Sequence, residues 1–78
     1  MNVLIDIAWL GQSGSFLAEI DPGVDDDTVR NVCEDAVRSG EVTGISPDIP
    51  KNAFANFTID RLGGEPTRLV VRPKVSFQ

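Results

Sequence analysis

Cys33 and the run Asp25-Asp26-Asp27 are the residues from which chemistry would first be expected in this chain. A thiolate is a nucleophile, and neighbouring carboxylates are ligands for hard cations. Neither has the company that such chemistry needs. The 78 residues contain no histidine, so the commonest general base and the commonest metal ligand are both missing. Cys33 is the only cysteine, which rules out an intrachain disulfide and any multi-cysteine iron–sulfur site. A lone thiol fits a cytoplasmic protein. Ser13, Ser15, Ser39, Ser46 and Ser76 have no partner base evident in the sequence. The aspartate run lacks the alternating acids and central glycine of a calcium loop. The expectation is therefore no catalytic residue, no metal and no cofactor.

The aspartates make better sense as the start of a helix. Asp25 can cap the first orphan N–H groups, and Asp26 and Asp27 then sit where the helix dipole favours negative charge. Val29, Val32, Cys33, Ala36 and Val37 follow at i, i+3, i+4, i+7 and i+8, a single apolar stripe that buries the cysteine. Val24 and Val29 are spaced as a hydrophobic staple, and Gly40 supplies a left-handed stop. Such a stripe needs a sheet to cover it.

Strands are available on both sides. Residues 1–10 alternate, with Val3, Ile5, Ile7 and Trp9 on one face and Leu4, Asp6, Ala8 and Leu10 on the other. Residues 11–14 read as a glycine-containing turn. Residues 15–20 alternate again, with Phe16, Ala18 and Ile20 inward, completing a hairpin. After the helix, residues 41–45 read as a short strand or extended loop, and Pro47 and Pro50 stiffen residues 46–50. Residues 53–62 read as a third strand with Ala55, Phe57 and Ile59 inward. Phe54 then has the parity of the outer face, as an edge cap or an exposed ring. Gly63-Gly64-Glu65-Pro66 is a turn. Residues 67–77 form the last strand, with Leu69, Val71, Val75 and Phe77 inward, Val70, Arg72 and Lys74 outward, and Pro73 near an end, an edge or a bulge. The first and last strands are the longest and most apolar. A helix-length crossover permits their parallel pairing in mid-sheet. The fold class is α+β, a mixed sheet holding one helix in the order strand, strand, helix, strand, strand. That is a β-grasp in a single domain over residues 1–78.

The net charge is −5 and lopsided. Ten acids up to Asp48 face only Arg30 and Arg38, while Lys51, Arg61, Arg68, Arg72 and Lys74 follow. This balance argues against a nucleic-acid partner. No apolar run approaches the roughly 20 residues of a membrane helix. Asp6 interrupts the opening apolar run, which no basic residue precedes, so a secretory leader is not expected either. A cytoplasmic chain with neither membrane nor small-molecule partner is the expectation.

In order and spacing the chain resembles ubiquitin-like proteins over nearly its whole length. The resemblance lies in the opening strand ending in Leu10-Gly11, in Glu19-Ile20-Asp21-Pro22, and in Asp27-Thr28-Val29-Arg30-Asn31-Val32. It continues in Gly44-Ile45-Ser46-Pro47-Asp48 and in Leu69-Val70-Val71-Arg72, with a few extra residues around 41–43. The resemblance implies the β-grasp and a protein-binding role through the outer sheet face. Conjugated relatives carry a Gly-Gly tail that Phe77 and Gln78 replace here, and Gly63-Gly64 lies between strands. The patch that ubiquitin receptors grip is replaced by Asp6, Asn56, Thr58, Asp60, Arg72 and Lys74, with Leu4, Ala8 and Val70 among them. The expected function is a non-catalytic ubiquitin-like interaction module, an adaptor or small subunit of a larger assembly, not conjugated. Two alternatives stand beside it: a small acidic phage- or plasmid-type inhibitor of a basic protein surface, and a modifier with an atypical tail. Two candidate surfaces follow. One is the sheet face with Leu4, Asp6, Val70, Arg72 and Lys74. The other is the acidic helix surface with Asp25, Asp26, Asp27, Glu34 and Asp35. Phe54 is a candidate anchor for either, or a core residue.

Overall fold

Alternation of apolar and polar residues makes the first strand half-buried, and the computed structural model, which describes residues 2–74, places it accordingly. In β1 (Asn2–Trp9), Val3, Ile5 and Ile7 lie in the core. β2 (Gln12–Glu19) pairs antiparallel with it, from Trp9↔Gln12 to Asn2↔Glu19. The helix α1 (Asp26–Arg38) follows, then β3 (Phe57–Leu62) and β4 (Thr67–Pro73). The sheet order is β2-β1-β4-β3. β1 and β4 run parallel, with Ile5 opposite Leu69 and Ile7 opposite Val71, as the two apolar strands required. β3 returns antiparallel along β4. Four strands in this mixed order with one helix are compatible with a β-grasp.

The hairpin turn is tighter than residues 11–14 would make it. Leu10 and Gly11 both have positive φ, 44° and 81°, as a two-residue primed turn requires. Gly14 lies instead inside β2. A Cβ there would collide with the Thr43 carbonyl oxygen and sit 2.7 Å from Val42 Cγ1. Its small size serves a close approach of the loop after the helix, not a turn.

The helix ends follow local chemistry. Asp25 is extended, and its Oδ1 accepts the Thr28 N–H at 2.9 Å. At the other end the Gly40 N–H donates to Val37 O and the Glu41 N–H to Ala36 O, with Gly40 at φ 81°. This is the paired hydrogen-bond pattern of a Schellman stop. Val29, Cys33, Ala36 and Val37 are buried, whereas Val32 is only half-buried on the flank of the stripe.

Residues 41–56 contain no strand, yet Val42, Ile45, Ile49 and Phe54 all reach the core. The third strand begins at Phe57, later than alternation suggests. Asn52 has φ 58°, the Ala55 N–H donates to Asn52 O, and the Phe57 N–H donates to Phe54 O. These turns break the period-two register. Phe54 therefore points inward, 1% exposed, and Ala55 points out, the reverse of their parity. Phe54 meets Phe57 edge-on at 5.0 Å and Trp9 at 5.4 Å, and Trp9 stacks on Phe57 at 5.6 Å. Pro73 ends β4, where a missing donor costs little. Val75 and Phe77 lie outside the described residues.

Burial separates the two stripe valines. Val37→Ala should destabilise the fold by about 1–3 kcal/mol through lost burial and a residual cavity. Val32→Ala should cost less than about 1 kcal/mol, since little apolar area leaves water there. Urea midpoints of the two variants check the difference.

Candidate interaction surfaces

The helix covers one face of the sheet. The register of the strands fixes what stands on the other. Leu17, Leu4, Arg68 and Leu62 form one row across β2, β1, β4 and β3. Ser15, Asp6, Val70 and Asp60 form the next. Arg72 stands opposite Thr58, and Lys74 lies exposed just past β4. Leu17 is 59% exposed and Leu62 45%, whereas Leu4 and Val70 are half-buried.

Two ion pairs lie diagonally across this face and flank Val70. Arg68 binds Asp6 from Nε and Nη2. Arg72 Nε donates to Asp60 Oδ2 at 2.6 Å. That hydrogen bond holds the Asp60 carboxyl below its ordinary range and raises the Arg72 guanidinium above its own. Both side chains face water, so the pair fixes orientation more than it adds stability. Leu4, Asp6, Val70 and Arg72 are thus brought onto one surface with Lys74 at its margin. Leu17, Leu62, Asp60 and Arg68 belong to the same rows. Leu17 and Arg68 were findable from strand parity alone, but their neighbours required the register.

The acidic helix surface is more dispersed. Asp25 is engaged as the cap, and hydrogen bonding to Thr28, side chain first and backbone second, lowers its pKa. Asp26 Oδ1 accepts from Arg61 Nη2 at 2.7 Å, and that guanidinium also donates to Pro22 O and Val24 O. Asp27 pairs with Arg30 at 2.8 Å, and Arg30 Nε and Nη2 both donate to Phe57 O. Glu34 pairs with Arg38 at 3.0 Å and accepts the Asn52 N–H. Asp35 is exposed and has no ion-pair partner among the described residues. The three successive aspartates therefore hold three different groups. Among the described residues no three acidic, cysteine or histidine side chains converge as a metal-binding group. Phe54, offered as an anchor, belongs to the core and to neither surface.

Cys33 is fully buried on the core-facing side of α1, and desolvation pushes its thiol up to about 12. No helix of the described residues is long and apolar enough to cross a membrane. Comparison with family models, curated proteins and solved structures finds no match for the chain.

Two titration outcomes follow. Because the folded-state pKa of Asp25 is depressed, its contribution to stability is complete above the unfolded value and is lost as pH falls through the folded one. Asp25→Ala should lower the urea midpoint at neutral pH and flatten its decline below about pH 4. Asp25→Asn, which keeps a capping oxygen but cannot titrate there, should retain the midpoint and show the same flattening. An aromatic disulfide reagent should leave Cys33 unmodified in the native protein at pH 8 and label it fully in denaturant, read by absorbance of the released thiolate.

Proposed function

We propose that the chain is a non-catalytic, ubiquitin-like protein-interaction module, an adaptor or small subunit of a larger assembly. It presents the open face of its sheet to another protein. The observation that supports this reading most is the composition of that face. Exposed Leu17 and Leu62 stand in line with Leu4, and two oriented ion pairs frame Val70. Apolar groups amid fixed charges are what the usable part of a non-obligate interface contains. The reading of the chain as an acidic inhibitor has less support, since Asp26, Asp27 and Glu34 already hold Arg61, Arg30 and Arg38 within the fold. A protein placed against them would have to compete with those pairs.

The test is affinity capture from the source organism, followed by titration of the retained protein against paired variants. Arg72→Glu with Lys74→Glu should weaken binding by more than about threefold, roughly 0.65 kcal/mol. Asp26→Lys with Asp27→Lys should change it by less. The opposite ranking would favour the acidic surface. Insensitivity to both pairs would overturn the assignment of the face.

A further inference from the structure

The open face of the sheet is uneven, and the unevenness has a pattern. Its outermost rows are already set by the register, Leu17-Leu4-Arg68-Leu62 and Ser15-Asp6-Val70-Asp60. A third row pairs Ser13 with Ala8 and Arg72 with Thr58. The register that sets Ile7 beside Val71 brings Ala8 level with Arg72. On the β2–β1 side, Ser13, Ser15 and Ala8 are small. On the β4–β3 side, Arg72 and Thr58 rise beside them. The low side is a hollow of about 340 Å3 bordered by Asp6, Ser13, Ser15, Arg68 and Val70.

The hollow and the raised side also have complementary groups to spare. Ser13 and Ser15 are exposed. Asp6 holds Arg68 through Oδ2, and its Oδ1 has no hydrogen-bond partner among the described residues. Arg72 reaches Asp60 through Nε and Nη2, and its Nη1 has no acceptor among the described residues. Within one chain the two sides lie next to each other and cannot engage.

We infer that this face receives a second copy of the chain, sheet on sheet, about a twofold axis lying along the strands between β1 and β4. β2 then lies over β3 of the second copy, and β1 over its β4. Each row meets its own reverse. Leu17 of one copy covers Leu62 of the other, and Thr58 covers Ser13. Arg72 enters the hollow over Ala8 and turns Nη1 toward the free Oδ1 of Asp6. Because the interface is isologous, every contact is made twice. Twisted sheets stack with their strands about 30° apart, so Arg72 over Ala8, beside the axis, holds the closest register.

Charge permits the contact. Asp6 and Asp60 are balanced by Arg68 and Arg72 across the face, with Lys74 at one margin and Glu19 at the other. The excess behind the net charge of −5 therefore lies off the face, and two copies do not repel each other there. Size sets the strength. Four strands about 4.8 Å apart and about seven residues long present roughly 450 Å2 per copy, or about 900 Å2 for the pair. That area belongs to transient complexes, which bury less than roughly 1,200 Å2. Self-association thus masks the face at high concentration, and a bound protein keeps the chain monomeric. The masking rests on the reading of this face as a protein-binding surface; the dimer does not.

The test mixes the variants Ser13→Cys and Thr58→Cys at about 1 mM, where even a weak complex is populated, and adds a short bismaleimide. Cys33 is buried and stays out of the reaction. The mixture should yield a covalent dimer in denaturing electrophoresis. Neither variant alone should, because like positions then stand more than about 14 Å apart, three strand spacings. In sedimentation equilibrium the wild type should approach the mass of two chains between about 10 μM and 1 mM. Ser15→Phe fills the hollow from an exposed strand position and should move that rise at least about tenfold higher in concentration, with unchanged amide circular dichroism. Monomeric wild type at the highest concentration, cross-linking of either variant by itself, or a Ser15→Phe variant that associates like wild type would overturn the dimer. An excess of the protein captured from the source organism should abolish cross-linking, and cross-linking that persists would overturn the masking. A monomeric chain whose captured protein is still lost on Arg72→Glu with Lys74→Glu would overturn this inference alone and leave the interaction-module reading intact.

Discussion

The parallel pairing of β1 with β4 is the constraint on which the rest of this structure depends. It joins Ile5 to Leu69 and Ile7 to Val71 across most of the chain, and it puts the two most apolar strands where both neighbours are strands. Parallel neighbours cannot be joined by a tight turn. The chain between them must therefore be long, and it supplies the helix and the residues after it. Those intervening segments complete the core from above with Val29, Cys33, Val37, Val42, Ile45, Ile49 and Phe54. Moving either central strand to an edge would expose its apolar face and strip the helix of its floor.

Charge has a related division of labour. The arginines before and within the second half of the chain are less a basic surface than a set of ties. Arg30 and Arg61 each hold an aspartate of the helix start and a backbone carbonyl elsewhere. Arg38 links Glu34 to the Ile49 carbonyl. The negative charge that remains free of ion pairs among the described residues includes Glu19, Asp35 and Glu41, which lie together between β2 and α1. Net charge alone conceals this, because it counts the tied acids and the free ones together.

What the sequence discloses depends on how local the determining physics is. The helix is legible from its own residues, since the Asp25 cap, the stripe and the Gly40 stop act within a turn or two. The pairing of the outer segments is legible because their apolarity demands a central place. Other features are not local. Gly14 has the look of turn punctuation until the loop at 42–43 is seen to press on it. The parity of Phe54 presumes extended chain, and Asn52 in the left-handed region cancels that premise. Asp26 finds Arg61 35 positions away, a partner no spacing rule indicates. Of the candidate surfaces, the sheet face could be assembled by strand parity, whereas the acidic one includes an ion pair, Asp26 with Arg61, that only the fold brings together.

The aromatic trio has an optical consequence. Trp9 is the only tryptophan, and its ring lies on Phe57 at the start of β3 and against the edge of Phe54 in the preceding turn. One indole thus touches the end of the first strand, the irregular loop and the third strand. Its emission reports on the meeting of these three segments without any added label. A polar, red-shifted spectrum would signal that the loop has lifted even while the four-stranded ladder persists. Native fluorescence and amide circular dichroism therefore look at different parts of this molecule, and a divergence between them would mark the loop as a separate unit of local unfolding.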